Sequence, residues 1–200
     1  LTSGNIAKIV VGDFNNDGRD DILFQPGASG TAWSFASGNA NGTFTVVDQA
    51  SSPFANVTLI DAPTAATNYH VADFDGDGDM DLLAAVTTGG PAVYLYRNNA
   101  GMFSRETVSV SPGPASGVRI IAGDFNNDGA ADFLYQATSS DPWRYMQNNG
   151  NGTFAEVAYN LSPFKNVAIP SYSLYNFRVA DLDGDGDQDI IYFANADTTT

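Results

Sequence analysis

The chain has 200 residues, of which 43% are apolar and 12% aromatic, so it is long and apolar enough to bury a core and is not a disordered tail. Its net charge of −15 and eight scattered Lys and Arg residues leave no basic stripe, which argues against nucleic acid or an anionic membrane as partner. Without Cys, disulfides, thiolate metal sites and a Cys nucleophile are excluded. The sequence also lacks the apolar run of about 18 residues that a membrane-spanning helix needs.

The first 50 residues read as a series of short strands. Apolar and β-branched residues at 6–11, 22–24, 32–35 and 44–47 predict four strands. Breakers such as Asn41-Gly42 separate them, and Asn-Gly favours tight hairpin turns with positive φ. Helical periodicity over a dozen residues is not apparent anywhere in the sequence, so an all-β fold is expected.

A nine-residue Asp-rich loop follows the first strand and recurs three times along the chain. The four copies begin at intervals of 60, 51 and 57 residues and cover 13–21, 73–81, 124–132 and 181–189, called loops 1 to 4 below. A second repeated feature spans nine residues after each of the first three loops, from Phe35 to Phe44, Tyr94 to Phe103 and Tyr145 to Phe154. Two features in register indicate true internal repeats.

Units one and three resemble each other more than they resemble units two and four. Ser-Pro-Phe at 52–54 recurs at 162–164, which adds a period of about 110 residues to the shorter one. Duplication of a block of two units explains both periods.

Four-stranded repeats of this length predict the blades of a β-propeller within a single repeat domain, 1–200. The expected blades cover residues 5–50, 66–110, 117–160 and, in part, 173–200. The fourth unit holds only its first two predicted strands, so about three and a half blades are present. We expect further chain, or self-association with a second copy, to complete this open propeller.

Each loop presents oxygen-bearing side chains at positions 1, 3, 5 and 9, with Gly at position 6 to allow a sharp turn. Position 7 varies freely, as expected where only the backbone carbonyl is a ligand. This arrangement resembles the first half of an EF-hand loop, without its Glu at position 12 or its helices. The predicted ligands, with position 7 included for its carbonyl, are Asp13, Asn15, Asp17, Arg19 and Asp21; Asp73, Asp75, Asp77, Asp79 and Asp81; Asp124, Asn126, Asp128, Ala130 and Asp132; Asp181, Asp183, Asp185, Asp187 and Asp189.

Calcium is the predicted cofactor, at about four ions per chain, one for each loop. The loops contain 17 of the 23 acidic residues, and four Ca²⁺ would change the net charge from −15 to about −7. Magnesium fits less well because it retains its waters. The alternative interpretation, Asx-type turns without metal, explains one loop better than four in register.

The loops and the apolar residues after them resemble FG-GAP repeats, the blades of the integrin α-subunit propeller and of many secreted bacterial and fungal proteins. The tail at 148–154 is similar to the bacterial and fungal branch, which includes sugar-binding propeller lectins. The Gly-Ala-Pro that follows the second strand in the family is missing here: Gln25-Pro26 stands in its place in unit one. The resemblance therefore implies the fold and the calcium sites but not integrin ligand recognition.

Other residues were weighed for catalysis and for sugar binding. His70 is the only His and falls where a strand is predicted, so we interpret it as structural. The carboxylates are explained as metal ligands, which leaves no catalytic residue to name and predicts a protein that is not an enzyme. Aromatic residues on the third strands could stack on sugars, but packing between blades is favoured: Trp33, Trp143, Tyr94, Tyr96 and Tyr145.

The sequence predicts a non-catalytic calcium-binding module for recognition or adhesion, with a protein or carbohydrate ligand. A sugar-binding propeller lectin and a structural domain attached to a secreted enzyme are the alternatives. Loops of this kind bind calcium at about 10⁻⁴ to 10⁻³ M in extracellular modules, so a secreted or cell-surface location is expected.

Overall fold

The structure is a computed structural model that describes residues 6–26, 33–59, 68–86, 92–115, 118–138, 140–170 and 175–194. The ends predicted for the blades at residues 5, 66, 117, 173 and 200 lie outside the described residues. Within those described, the chain forms fourteen β-strands and two short 3-10 helices, Gln49–Ser51 and Tyr159–Leu161, and no α-helix. The all-β prediction is confirmed.

The first sheet is a simple antiparallel meander, in which each strand pairs with the next one along the chain. Its strands are β1 (Ile6–Gly12), β2 (Asp21–Pro26), β3 (Ser34–Gly38) and β4 (Phe44–Val47). The last hairpin turns at the predicted Asn41-Gly42, where Gly42 has φ of +77°. Its ends are closed by a hydrogen bond from the Asn39 amide to the Thr43 carbonyl at 2.8 Å.

The next two sheets repeat this meander, and the last contains two strands. The second sheet is formed by β5 (Asn68–Ala72), β6 (Asp81–Val86), β7 (Ala92–Asn99) and β8 (Met102–Val108). The third is formed by β9 (Arg119–Gly123), β10 (Asp132–Gln136), β11 (Arg144–Asn148) and β12 (Phe154–Val157). The fourth pairs β13 (Tyr175–Ala180) with β14 (Asp189–Ala194). We call these sheets blades 1 to 4.

The hydrophobic core lies between the blades rather than within any one of them. Strands β6 and β10, in the two middle blades, are buried at every residue because a neighbouring blade covers each face. Three clusters of buried side chains fill the junctions between blades 1 and 2, 2 and 3, and 3 and 4. Each blade is therefore stabilised mainly by contact with its neighbours, as the prediction of propeller blades requires.

The repeated Ser-Pro-Phe segment inserts an aromatic side chain into such a junction. Phe54, only 2% exposed, stacks on Phe103 of blade 2 with ring centroids 4.3 Å apart. The Phe103 amide donates to the Pro53 carbonyl at 3.0 Å. Phe164, in the second copy, packs edge-on against Phe125 at 5.2 Å. The first copy thus joins blade 1 to blade 2, whereas the Phe125 contact of the second copy lies within blade 3.

The blades form an open array whose two outer faces bear apolar side chains. On β1, Ile9 is 56% and Val11 51% exposed, and on β14 Phe193 is 61% exposed. The first strands of successive blades lie side by side, β1 next to β5, β5 next to β9, and β9 next to β13. Since an Asp-rich loop follows each first strand, the four loops gather at one end of the array.

Candidate metal centres in the Asp-rich loops

Each Asp-rich loop connects the first two strands of its blade, and its ninth residue is also the first residue of the second strand. The residue before the loop pairs with that ninth residue, as Gly12 does with Asp21 and Ala72 with Asp81. Position 9 is therefore held by the strand ladder, and positions 1 to 8 form a turn that projects beyond the sheet.

The carboxylate at position 1 shapes the turn by accepting backbone amides from within the loop. In loop 1, Asp13 accepts from the Gly18 amide at 2.8 Å. In loop 2, Asp73 accepts from both Gly76 at 2.7 Å and Gly78 at 2.9 Å. In loop 3, Asp124 accepts the position 6 amide of Gly129 at 2.9 Å, as in loop 1, and in loop 4 Asp181 accepts the position 4 amide of Gly184 at 2.7 Å. In each loop the position 1 carboxylate thus accepts at least one amide from within the turn.

The carboxylate at position 9 ties the loop to the third strand of the same blade. Asp81 is fully buried and accepts the Phe74 amide at 3.0 Å and the Asn98 amide at 2.7 Å. Asp21 accepts the Phe14 and Gly38 amides in the same way, at 3.1 and 2.9 Å. In the described residues this predicted ligand thus also has a structural role, which the sequence analysis did not anticipate.

Burial dominates the electrostatics of position 9. Desolvation raises the pKa of Asp81 to about 7, although the two backbone amides that it accepts act in the opposite direction. The same cause raises the pKa of Asp132 to about 6, against hydrogen bonds from the Tyr145 hydroxyl and the Asn148 amide. A cation beside these groups would favour their charged forms.

Two loops bring carboxylates close enough to share one cation. Asp73, Asp75 and Asp81 in loop 2 each offer an oxygen, and these oxygens lie within 4.8 Å of one another. Asp181, Asp183 and Asp185 in loop 4 do the same. Oxygens on opposite sides of a Ca²⁺ with bonds of 2.3–2.6 Å lie about 4.6–5.2 Å apart, so these donor sets fit calcium.

Loops 1 and 3 carry Asn at position 3, and their amide oxygens are turned toward the loop. The Asn15 oxygen accepts the Asp17 amide at 3.0 Å, and the Asn126 oxygen accepts the Asp128 amide at the same distance. The Asn15 nitrogen donates to the Ser37 hydroxyl at 3.0 Å. At positions 1, 3, 5 and 9, loops 1 and 3 therefore offer three carboxylates and one amide oxygen, where loops 2 and 4 offer four carboxylates.

Positions 5 and 7 are connected in every loop, because the position 5 carboxylate accepts the position 7 amide. These bonds run from Arg19 to Asp17 at 3.1 Å, Asp79 to Asp77 at 2.9 Å, Ala130 to Asp128 at 3.0 Å and Asp187 to Asp185 at 3.2 Å. The position 7 side chains differ in their surroundings: Arg19 forms an ion pair with Asp17, while Ala130 is buried. Ligation by the position 7 carbonyls stays a prediction.

Arg97 supplies positive charge beside loop 2. Its guanidinium contacts Asp75 at 3.0 Å and Glu106 at 2.7 Å. Desolvation, with smaller contributions from the charges of Asp75, Asp79 and Asp73, raises the pKa of Asp77 in the same loop. The sequence analysis did not single out Arg97, because it lies 22 residues from Asp75.

The tryptophans border two equivalent clefts at blade junctions. Trp33 lines a cavity of about 300 Å³ with Phe35 and Phe54, and Trp143 lines one of about 360 Å³. Both residues immediately precede the third strand rather than lying on it. Their rings pack edge-on against the next blade, Trp33 on Tyr69 at 5.2 Å and Trp143 on Phe177 at 5.7 Å. Packing between blades, the favoured interpretation, is therefore present for both.

His70 lies on β5, as predicted, and its Nε2 is a buried atom without a hydrogen-bond partner among the described residues. Desolvation lowers its pKa to about 4. Together with Ile120 on β9 and Arg178 on β13, His70 lines a cavity beside the first strands.

Comparison with known proteins relates the whole array to one family. The FG-GAP-like repeat profile matches residues 13–84, 73–135 and 132–192, so the matches overlap along most of the chain. No curated protein matches the chain at the sequence level. Within the described residues, no helix is long and apolar enough to cross a membrane.

Among solved structures, the chain is similar to a lectin from Agrocybe aegerita, described for its specific recognition of non-reducing terminal N-acetylglucosamine. The TM-score is 0.61 at 21% identity, with 93% of this chain covered. The chain spans 46% of the length of that structure. At this identity the likeness establishes the fold.

Proposed function

The chain belongs to the FG-GAP-like repeat family, and we propose that it is a non-catalytic, calcium-stabilised recognition module of a secreted or cell-surface protein. One observation carries the proposal: three carboxylates of loop 2, on Asp73, Asp75 and Asp81, converge within 4.8 Å in a loop that the chain repeats four times. Such convergence of like charges opposes folding unless a cation compensates for it.

The residues that would hold each ion are the side chains at positions 1, 3, 5 and 9 and the carbonyl at position 7. Bound calcium would supply two positive charges to each loop and neutralise its carboxylates. The carboxylate at position 1 already stabilises the turn by accepting amides of the loop, and the carboxylate at position 9 bonds to an amide of the third strand. The loops would thus be stabilised at the junctions between blades, which leaves other surfaces free for a partner.

The experiment for this proposal counts calcium ions on the purified chain. Protein stripped with chelator and dialysed against millimolar calcium should retain about four ions by atomic emission. In the variant Asp73→Asn/Asp75→Asn, one ion should be lost. Asp48→Asn, outside the loops, is the matched control and should retain the full number. Uptake that is the same in all three proteins, or absent from all three, would contradict the proposal.

Carbohydrate binding is the second candidate, favoured by the similarity to the N-acetylglucosamine-recognising lectin. The cleft beside Trp33 has the mixed character of sugar sites, with apolar side chains together with Gln49 and Thr58. Because Trp33 already packs against Tyr69, a sugar would contact the polar residues Gln49 and Thr58 of the cleft rather than stack on the Trp33 ring.

A titration of the calcium-loaded chain with N-acetylglucosamine, followed by NMR, tests this candidate. Shifts are expected at the cleft and should weaken in Thr58→Val, while Thr45→Val on β4 keeps them. A glycan array and a screen of surface proteins extend the test to other ligands. Failure of every ligand class would favour the alternative of a structural domain attached to a secreted enzyme.

A further inference from the structure

Position 4 of the loops alternates between Asn and Gly although the backbone conformation is the same. Asn16 and Asn127, in loops 1 and 3, have φ of 60° and 58°. Gly76 and Gly184, in loops 2 and 4, have φ of 78° and 80°. Gly adopts this left-handed conformation without cost and Asn with a small one, so the presence of Asn suggests that its side chain has a role.

The side chain of Asn16 reaches the calcium loop of the next blade. Its amide nitrogen donates to the Asp79 carboxylate at position 7 of loop 2. The other carboxylate oxygen of Asp79 accepts the Ala100 amide at 2.7 Å. Asp79 is thus fixed from two sides, and it is the residue whose carbonyl is expected to bind the metal of loop 2.

Asn127 also reaches the following loop, between blades 3 and 4, but through a backbone carbonyl rather than a side chain. Its amide nitrogen donates to the Asp185 carbonyl, at position 5 of loop 4, at 3.3 Å. The approach is close, since a Cβ on Gly186 would lie 2.8 Å from the same nitrogen. Asp185 is itself an expected ligand, so both Asn side chains contact metal-binding residues of the following loop.

The junction between blades 2 and 3 is joined without a position 4 side chain, because Gly76 has none. There the Ala131 amide bonds to the Asp73 carbonyl at 3.5 Å. The position 4 contacts therefore divide the loops into two pairs, loops 1 and 2 and loops 3 and 4. This division follows the period of two blades seen in the sequence.

We propose that Asn16 and Asn127 couple the calcium sites in pairs, so that filling one loop raises the affinity of the loop in the next blade. The inference rests on the proposed function, since it concerns the same calcium loops. Asn16 lies between the expected ligands Asn15 and Asp17, so an ion in loop 1 fixes Asn16 and, through it, Asp79. Because linkage is reciprocal, an ion in loop 2 favours the binding conformation of loop 1 equally.

The size of the effect follows from the exposed character of the contact. Allosteric couplings are typically 5- to 150-fold in affinity, and a single exposed hydrogen bond lies at the lower end. We therefore expect each Asn to raise the affinity of its pair about fivefold. Removing it should leave the number of ions unchanged.

Calcium titration of the metal-free chain by calorimetry tests the coupling. The wild type should bind cooperatively within each pair. Asn16→Gly and Asn127→Gly keep the backbone conformation that Gly76 and Gly184 already show, and each should lower the affinity of its pair for the second ion about fivefold, with the first ion unaffected. Asn41→Ala is the control, since among the described residues Asn41 bonds within its own hairpin, to Thr43.

A double-mutant cycle separates the coupling from general effects of the substitutions on folding. Asp79→Ala also removes the bond from the Ala100 amide and one negative charge, so its own effect on affinity is larger than that of one contact. The cycle therefore compares Asn16→Gly in two backgrounds: it should lower the affinity in the wild type and cost nothing further in Asp79→Ala, where its partner is already missing. Four filled sites with unchanged isotherms in Asn16→Gly and Asn127→Gly would overturn the coupling alone. No calcium uptake by the wild type would overturn the proposed function and the coupling together.

Discussion

The side chain of Asn148, on the third strand of blade 3, donates to the carbonyl of Phe74 in loop 2 of blade 2 at 2.7 Å. The same nitrogen donates to the Ala131 carbonyl of its own loop at 2.8 Å. Asn98 makes the equivalent contact with Phe14 of blade 1 at 3.3 Å. One repeated Asn thus fastens each of these blades to the loop of the blade before it.

Asn148→Ala should destabilise the protein by about 2–3 kcal/mol, because two buried carbonyls lose their donor. The midpoint of thermal unfolding should fall by about 5–10 °C for a chain of this size. Circular dichroism on heating measures this shift. Asn149→Ala, beside it but exposed, should stay within about 0.5 kcal/mol of the wild type. Equal midpoints for both variants would contradict the role assigned to Asn148.

Asp132 and Asp128 are predicted to respond differently to amide substitution in the presence of chelator. Asp132→Asn places an NH₂ group where the carboxylate accepts the Asn148 amide at 2.8 Å, and should cost about 2–4 kcal/mol. Asp128→Asn, in the exposed turn, removes repulsion and should cost nothing under these conditions. Urea unfolding in chelator and in calcium separates the two roles. In calcium, Asp128→Asn should lose most of the stabilisation at its site. Equal losses of stability in Asp132→Asn and Asp128→Asn in chelator would contradict the separate structural role assigned to position 9.

Arg19→Gln should raise the calcium affinity of loop 1, because the Arg19 guanidinium is paired with Asp17, an expected ligand. The pair is exposed to solvent, so the gain should be modest, on the order of three- to tenfold. Terbium luminescence in competition with calcium measures it. Arg105→Gln removes an Arg that lies over Tyr94 at 4.8 Å and outside the loops, and should leave the affinity unchanged. Lower affinity in Arg19→Gln would mean that Arg19 supports the site instead of competing for it.

His70 should make the protein less stable as the pH is lowered. Burial lowers its pKa from 6.5 to about 4, so between these values the unfolded chain binds more protons than the folded one. The free energy of unfolding contributed by His70 is therefore fully present above pH 6.5 and falls by up to about 3 kcal/mol on acidification to pH 4.

The comparison with His70→Val isolates this contribution, since the buried carboxylates have raised pKa values and act in the opposite direction. Blade 1 has Val10 at the same position. Denaturant unfolding from pH 7 to pH 4 should give a shallower acid loss in His70→Val than in the wild type. An equal loss of unfolding free energy in the two proteins would show that His70 is protonated as readily in the folded chain as in the unfolded one.

The strands could be predicted because their apolar residues are local signals. Strand β4 falls on the predicted residues 44–47, and β1 extends the predicted 6–11 by one residue. Strand β3 was predicted at 32–35 but covers Ser34–Gly38. Its polar end is strand because Ser37 pairs with Thr45 and Gly38 with Phe44, and no local propensity indicates that pairing.

The candidate site was predictable only in part for the same reason. Alternating oxygens and Gly within nine residues indicate a cation loop from the sequence alone. The anchoring of Asp81 by the Asn98 amide joins residues 17 positions apart, and the contact from Asn98 to Phe14 spans 84 positions. Such contacts depend on how the blades pack, so no pattern in a single sequence could assign them.

Thermal unfolding with and without calcium tests the central claim most directly. With dissociation constants of about 10⁻⁴ to 10⁻³ M, 10 mM calcium should add roughly 1.4–2.7 kcal/mol per site. With four sites filled, the unfolding midpoint should rise by more than about 10 °C over that in chelator. Magnesium at the same concentration should have much less effect. Superimposable melting curves in calcium and in chelator would contradict calcium binding by the four loops.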